Sequence, residues 1–305
     1  MEISYQNKCN HKEIYIRNQN VDIIHCNDLN TLPIGVIIKK FFNKNIKIVY
    51  DAHEYETETY YSKGMRKKIS KNIESLLIKY ADEIITVSDK IADEYVRLYN
   101  IKKPSLILNT PILQEVEKKN FFRTRFNIRE SSTIFLYQGA LNKGRGIEMI
   151  LDTFVSLNNS VIVFMGYGTL ESYINDYSKK YSNIFLHESV PFEMLLSYTS
   201  SADFGISLIE DSCLSYRYCL PNKMFEYIMV GIPVIVSNLP EMAKIIKKYN
   251  IGVISKEYNS KELKNAIIKA HNLNKNNLKK NIDKVKKIYN WQKQEKILLG
   301  VYNGL

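Results

Sequence analysis

Leu220–Val236, LPNKMFEYIMVGIPVIV, places a helix start, one carboxylate and an apolar strand side by side. Pro221 suits the first helical position, where a missing N–H costs nothing and φ is already near helical. Asn222 and Glu226 are four residues apart, and Lys223 and Glu226 three, so the spacing predicts all three on one helical face. Gly231 ends that helix. Ile232 to Val236 is short, apolar and β-branched around Pro233, which predicts a strand buried on both faces with the proline at its entrance. The preceding run, Asp203 to Leu208, predicts another such strand, and Ile209 to Leu220 a long connecting loop.

Loops at the C-terminal strand ends of an open α/β sheet carry ligands, and the free N–H groups of a following helix attract anions. Phosphate is the natural candidate. A carboxylate one turn inside such a helix would be repelled by phosphate unless it faced sugar hydroxyls, which a ribose 2′,3′ diol offers. The pattern therefore points to a nucleotide with its phosphates at the helix start and its ribose at Glu226. The other reading is a surface glutamate paired with Lys223.

Strand and helix patterns alternate outward in both directions, which implies parallel sheets. In the first part of the chain, strands are predicted at Val21 to His25, Ile46 to Tyr50, Glu83 to Val87 and Ser105 to Leu108. Helices are predicted at Thr31 to Phe42, Ser62 to Tyr80 and from Ser88-Asp89 to Tyr99. The Ser62 helix carries an apolar stripe at Ile69, Ile73, Leu76, Leu77 and Tyr80. After a linker from Thr110 to Glu117, strands are predicted at Thr133 to Gln138, Val161 to Met165, Ile184 to Leu186, Asp203 to Leu208, Ile232 to Val236 and Ile251 to Ile254. Helices fit between these strands, and a Lys-rich helical region, Ser260 to Ile288, leads to Trp291 to Tyr302. A chain of 305 residues supports two domains, expected at residues 1–110 and 111–288, with residues 289–305 returning to the first.

The formal net charge is +11, spread through helices, which favours anionic partners without choosing among nucleotide sugars, lipid headgroups or nucleic acid. Cys9, Cys26, Cys213 and Cys219 have no C-x-x-C spacing, so free thiols in a reducing compartment are expected. No secretory signal or bilayer-length apolar run is visible, so the expected location is the cytoplasm, including the inner face of the cell membrane.

P-N-K-x-F-E-Y-x-x-x-G-x-P-V-I resembles the donor-binding segment of family-4 (group 1) glycosyltransferases of the GT-B fold. Asp22 to His53, with its D-L-x-T-L-P and Y-D-x-H-E elements, and ADEIITVSD at Ala81 to Asp89 are similar to the same family. The resemblance spans about Val21 to Tyr302. It implies two Rossmann-like domains with parallel sheets, the first incomplete at its N-terminus, because about three βα units normally precede the segment matching Val21. A wrong gene start, a compact variant and a partner chain completing the sheet are all open readings. The resemblance assigns Glu226 to the donor ribose. Many members carry a second glutamate eight residues earlier, where this chain has Tyr218.

By the same resemblance, Arg145 sits where a basic residue contacts the donor diphosphate. The glycine loop Gln138 to Gly146 lets a backbone approach a ligand at Gly139, and Lys143 adds charge. Gly166, in Met165 to Gly168, resembles the loop beside the nucleobase, with a simple turn as the alternative. His53 matches the family's cleft histidine and, with Glu54, is the expected catalytic pair. Asp28 and Asp51 are the expected acceptor-side carboxylates, helix or loop capping being the alternative for Asp51. The resemblance implies a retaining hexosyltransferase-type enzyme that moves a sugar from a nucleoside diphosphate sugar to a glycan or glycolipid acceptor, with no cofactor and no metal. An inactive nucleotide-sugar-binding subunit and a sugar-nucleotide epimerase of the same fold are the rival readings. Tyr60, Tyr61, Lys63, Arg66, Lys67, Lys68 and Lys71 suit either peripheral membrane contact or a solvated helix face, as does Lys275 to Lys287. No nucleic-acid motif is present.

Overall fold

Val234–Ser237, the apolar run after Gly231, is a strand with all four residues buried. It lies between two others in a six-stranded parallel sheet. The computed structural model describes residues 21–305, which divide into two compact units, one of residues up to Ile107 together with Ile297–Leu305 and one of Leu108–Lys296.

The first unit has a parallel sheet of order β1-β2-β3-β4, formed by β1 (Ile23–Asn27), β2 (Lys47–Ala52), β3 (Glu83–Thr86) and β4 (Ser105–Leu106). Helices α1 (Leu32–Phe41), α2 (Gly64–Leu77) and α3 (Asp89–Tyr99) alternate with them. Ser88 caps α3 by accepting from the Ile91 N–H at 3.3 Å, which satisfies one orphan donor of the helix start. The core gathers Ile48, Val49, Tyr50, Ile85 and Tyr95, all fully buried. Within it Glu74 accepts hydrogen bonds from the phenols of Tyr50 (2.8 Å), Tyr95 (2.7 Å) and Tyr99 (2.5 Å). A carboxylate can be buried there because three donors replace its water.

The second unit is larger. Its strands β5 (Thr133–Gln138), β6 (Ser160–Met165), β7 (Ile184–His187), β8 (Phe204–Ser207), β9 (Val234–Ser237) and β10 (Gly252–Ser255) pair in the order β10-β9-β8-β5-β6-β7, all parallel. The helices are α4 (Phe121–Phe126), α5 (Ile147–Phe154), α6 (Glu171–Lys180), α7 (Phe192–Thr199), α8 (Leu214–Arg217), α9 (Asn222–Met229), α10 (Pro240–Tyr249), α11 (Ser260–His271) and α12 (Lys275–Lys286); α13 (Trp291–Asn303) begins in this unit and ends in the first. Apolar clusters cover both faces of the sheet, one including Leu136, Val163, Phe225 and Val236, the other Phe135, Ile162, Ile206 and Ile235. Alternate residues of β5 and β6 feed opposite clusters, the reason those strands read as unbroken apolar runs.

Several expectations change. Pro221 is the N-cap of α9, with ψ 138°, and helical geometry starts at Asn222. The Ile209 to Leu220 connection contains α8. The Lys-rich region is two helices, the second capped by Asn274, whose side chain accepts from the Asn277 N–H. The Ser62 helix starts at Gly64 and its last turn is a 3-10 turn at Ile78–Tyr80; of its stripe, Ile69 (52 %), Ile73 (39 %) and Leu76 (61 %) are exposed, with Met65 exposed a turn earlier, while Leu77 and Tyr80 are half-buried. Asp51 is within β2. Strand ends elsewhere shift by one or two residues.

Candidate active site

In the second sheet the chain winds to one side from β5 to β7 and to the other from β8 to β10, so the order reverses between β5 and β8. Loops leaving a reversal point diverge, and the space between them is where open α/β sheets bind ligands. Here β5 and β8 share only two residue pairs in register, Phe135 with Phe204 and Leu136 with Gly205, whereas β5 and β6 share six. Tyr227 of α9 fills the opening. Its hydroxyl accepts from the Gln138 N–H at 3.1 Å and donates to the Leu136 carbonyl at 3.0 Å, with the Ile206 carbonyl at 3.4 Å. Gly205 makes room for the ring, since a Cβ there would lie 2.2 Å from it.

Glu226, next to Tyr227, takes the other end of the same residue: Gln138 Nε2 donates to Glu226 Oε2 at 2.5 Å, and Gln138 Oε1 accepts from Thr199 at 2.8 Å. Burial raises the Glu226 carboxyl above its ordinary range, and the Gln138 donor and the nearby Lys223 charge oppose that rise. Lys223 lies one turn earlier with its Nζ 3.6 Å from the centre of the Tyr137 ring. Enclosure of its ammonium, then the charge of Arg145, push it down to about 7 against the pull of Glu226. Arg145 is itself held over Tyr216 of α8, its guanidinium carbon 4.7 Å from the ring centre. Pro221 offers no side-chain acceptor to α9, and its carbonyl accepts from the Met224 N–H at 3.0 Å, so among the described residues the amides ahead of Met224 are left to a ligand or to water. A lysine beside one carboxylate, with Arg145 acting on that lysine and a helix start one turn away, suits a molecule with an anionic end and a diol end.

The glycine loops approach closely. Gly139 donates to the Met165 carbonyl at 2.9 Å and Leu141 to the Tyr167 carbonyl at 2.8 Å, extending the β5–β6 pairing beyond the strands. A Cβ on Gly166 would stand 2.0 Å from the Gly139 oxygen. Gly139 has φ +110° and is 3.7 Å, measured from an ideal Cβ, from Lys223 Cε. Across the reversal point the Glu210 N–H donates to the Gly144 carbonyl at 3.1 Å.

The first unit holds a second polar cluster, at the ends of β1 and β2. His53 Nδ1 lies 3.4 Å from Asp28 Oδ1, and His53 Nε2 3.6 Å from Asp51 Oδ2. The backbone N–H of His53 also donates to Asp28 Oδ1 at 3.3 Å. Two carboxylates favour imidazolium, so His53 is raised above its ordinary value, chiefly by Asp28, with burial opposing. Asp28 is lowered, because hydrogen bonds and charge from His53 outweigh the burial that would raise it. Glu56 is pushed up to about 8 by burial and by Asp28, and so holds a proton at neutral pH. His25 joins the cluster from β1, its Nε2 3.1 Å from Asp51 Oδ2.

Residues 118–288, more than half of the chain, match the family model described as "Glycosyl transferases group 1", and residues 13–110 match "Glycosyltransferase Family 4". The chain belongs to the group 1 glycosyl transferases. Among solved structures it is similar to sucrose-phosphate synthase from Thermosynechococcus elongatus (TM-score 0.79, 18 % identity, 96 % of this chain and 76 % of that one). It is also similar to HepE of Anabaena in complex with UDP and glucose (TM-score 0.75, 13 % identity, 96 % and 80 %), and to a glycosyltransferase from Rickettsia africae (TM-score 0.74, 14 % identity, 99 % and 84 %). These likenesses establish the two-sheet GT-B architecture. No curated protein matches the sequence.

In this glycosyltransferase Gly139, Arg145, Lys223 and Glu226 gather at the reversal point, with Gly166 against Gly139. Asn222 is exposed on the first turn of α9, and Lys143 is exposed on the glycine loop. His53, Asp28 and Asp51 form one cluster, while Glu54 is exposed beside it. Asp51 pairs with two histidines and does not act as a cap. The sequence reading passed over Gln138 as a side-chain holder, Tyr227, Tyr137, Tyr216 and Glu56. Tyr227 had a signal in its place beside Glu226 in the motif. The others meet their partners only through long-range packing. Among the described residues no three His, Cys, Asp or Glu side chains form a metal-binding group, and no helix is long and apolar enough to cross a membrane.

Proposed function

We propose that this chain is a retaining hexosyltransferase that moves a sugar from a nucleoside diphosphate sugar to a hydroxyl of a glycan or glycolipid, in the synthesis of surface polysaccharide, glycolipid or lipopolysaccharide. The observation that carries the reading is Glu226, held by Gln138 at the reversal point within one helical turn of Lys223 and the α9 start. The carboxylate receives the ribose diol. Lys223, Arg145 and the helix N–H groups receive the diphosphate, with Asn222 and Lys143 at its edge and Gly139 and Gly166 allowing close approach. As the sugar departs, charge grows on the leaving phosphate. Fixed cations and amides aimed at that charge lower the barrier.

His53, whose protonated form Asp28 and Asp51 favour, is a hydrogen-bond donor to a sugar hydroxyl, with Glu54 and the two aspartates on the acceptor side. Proton removal from the acceptor then falls to the departing phosphate, in line with the retaining, metal-independent chemistry that the family resemblance implies. The outward stripe of α2, with Met65, Ile69 and Leu76 exposed beside Arg66 and Lys68, supports peripheral contact with the cytoplasmic face of a membrane. Lys67 and Lys71 are committed to Glu58, at 2.6 and 2.5 Å.

The test is donor turnover with a panel of nucleoside diphosphate sugars and hydroxyl acceptors, comparing the native chain with Glu226→Ala and His53→Ala. Loss of tight nucleotide binding in the first and of turnover in the second is expected. Normal turnover in both would refute the site. Binding without turnover in the native chain would favour the inactive subunit, and acceptor-independent conversion of the sugar nucleotide would favour the epimerase. Flotation with anionic vesicles, lost in Met65→Ser/Ile69→Ser, checks the membrane contact.

A further inference from the structure

Tyr302, near the end of α13, reaches back to the β1–β2 cluster in the first unit. Its hydroxyl lies 2.6 Å from His25 Nδ1. His25 Nε2 lies 3.1 Å from Asp51 Oδ2, and the same oxygen lies 3.6 Å from His53 Nε2. We propose that Tyr302 is a positioning residue for His53, acting through His25 and Asp51. The inference rests on the reading of His53 as the residue that engages the sugar.

Donor and acceptor roles follow one direction along this chain. The Tyr302 phenol is raised by burial and by the charge of Asp51, so it keeps its proton and donates. Its donation occupies His25 Nδ1 as an acceptor and so selects the tautomer with hydrogen on Nε2. That N–H donates to Asp51 Oδ2. A carboxylate held from one side by a fixed donor keeps its orientation, and here the held oxygen is the one turned toward His53. Asp51 has a side-chain exposure of 13 %, so little water competes for this role.

Without the Tyr302 hydroxyl, His25 is free to carry its hydrogen on Nδ1. Nε2 would then turn a lone pair toward Asp51, and the carboxylate would swing away or lose its register with His53. His53 would keep only Asp28 as a close carboxylate. The imidazolium would be less favoured and would give up its proton at lower pH.

The groups that face His53 are Asp51 of β2, Asp28 of the loop after β1, and Glu56 of the 3-10 turn Glu56–Glu58. His25 of β1 and Tyr302 of α13 act one and two bonds further on. Glu56 ionises near pH 8 and adds its own pull on His53 as it does so. Glu56→Gln removes that contribution and belongs in every comparison.

The experiment uses the full chain with isotope-labelled histidine and follows the His53 ring resonances through a pH titration, assigned by their loss in His53→Asn. Tyr302→Phe is compared with the native chain, each with and without Glu56→Gln. Turnover at saturating donor is measured over the same pH range. The expected result is a His53 midpoint lowered by about half a unit to one unit. Turnover should match the native chain well below the His53 midpoint and fall about three- to tenfold below it well above that midpoint.

An unchanged His53 midpoint would overturn the proposal. So would a turnover loss of the same size at every pH, which is what a purely structural role produces. A shifted midpoint with an unshifted turnover profile would overturn the catalytic part and, with it, the role given to His53. The resonance titration does not depend on activity, so it separates failure of the hydrogen-bond chain from failure of the transferase reading. If Tyr302→Phe does not fold, His25→Leu interrupts the same path one bond later and carries the same expectations.

Discussion

The Tyr227 hydroxyl stands where a sheet partner would, accepting from the backbone N–H of Gln138 at 3.1 Å. Its neighbour Glu226 holds the side chain of the same residue. One turn of α9 therefore supports the end of β5 at both of its polar ends, just where β5 and β8 part.

Tyr227→Phe removes the partner of the Gln138 N–H and of the Leu136 carbonyl while keeping the ring. Buried groups left without partners cost about 1–3 kcal/mol, so the unfolding free energy from urea denaturation should fall by that much and the midpoint with it. Nucleoside diphosphate affinity should fall as well, because Gln138 loses its anchor. A midpoint within error of the native value would show that water replaces the hydroxyl.

Lys223 predicts a proton uptake. Its ammonium titrates near pH 7 in the unliganded protein, and a diphosphate beside it favours the charged form. Nucleotide binding at about pH 8 should therefore take up a proton, read as a dependence of calorimetric heat on buffer ionisation enthalpy. Lys223→Met should abolish that dependence. The sign for stability follows: an unfolded lysine titrates near ~10.4, so between about pH 7 and 10 the unfolded chain binds more protons. This residue therefore makes the unliganded protein more stable as pH rises through that window, and saturating nucleotide should flatten the rise.

Gly166 and Gly300 give opposite expectations for one substitution. Alanine at Gly166 meets the Gly139 oxygen at 2.0 Å, backbone against Cβ, so the two loops must separate. A loss of about 2 kcal/mol or more and weakened nucleotide binding are expected. At Gly300, inside α13, nothing lies within 4 Å of a new Cβ. Alanine there should stabilise by about 0.5–1 kcal/mol. Thermal unfolding of the two variants decides the matter, and equal shifts would contradict the close approach of the glycine loops.

Glu74 should be costly to remove although it belongs to no motif itself. Glu74→Leu strands three phenols that now donate to it, and a loss of about 3 kcal/mol or more is expected from unfolding curves. Tyr99→Phe removes a single donor and should cost about 1–2 kcal/mol. Comparable losses in the two variants would mean that the carboxylate does not organise the group.

Much of this molecule was readable from one dimension. A strand buried on both faces of a parallel sheet must be a continuous apolar run, so Thr133 to Gln138 announced β5 to the residue, and Gly231 with Pro233 bracketed the entry to β9. The spacing of Lys223 and Glu226 was legible because neighbours on a helix are set by its pitch alone. That logic failed on the stripe of α2, where periodicity showed a face without showing whether anything covers it. It also missed α8, a helix of four residues, too short for a periodic signal. Only the tertiary structure brought Gln138 to Tyr227 and Tyr302 to His25, the latter 277 positions apart. A hydrogen bond depends on where two side chains end in space, and across such a separation the sequence carries no period from which to read it.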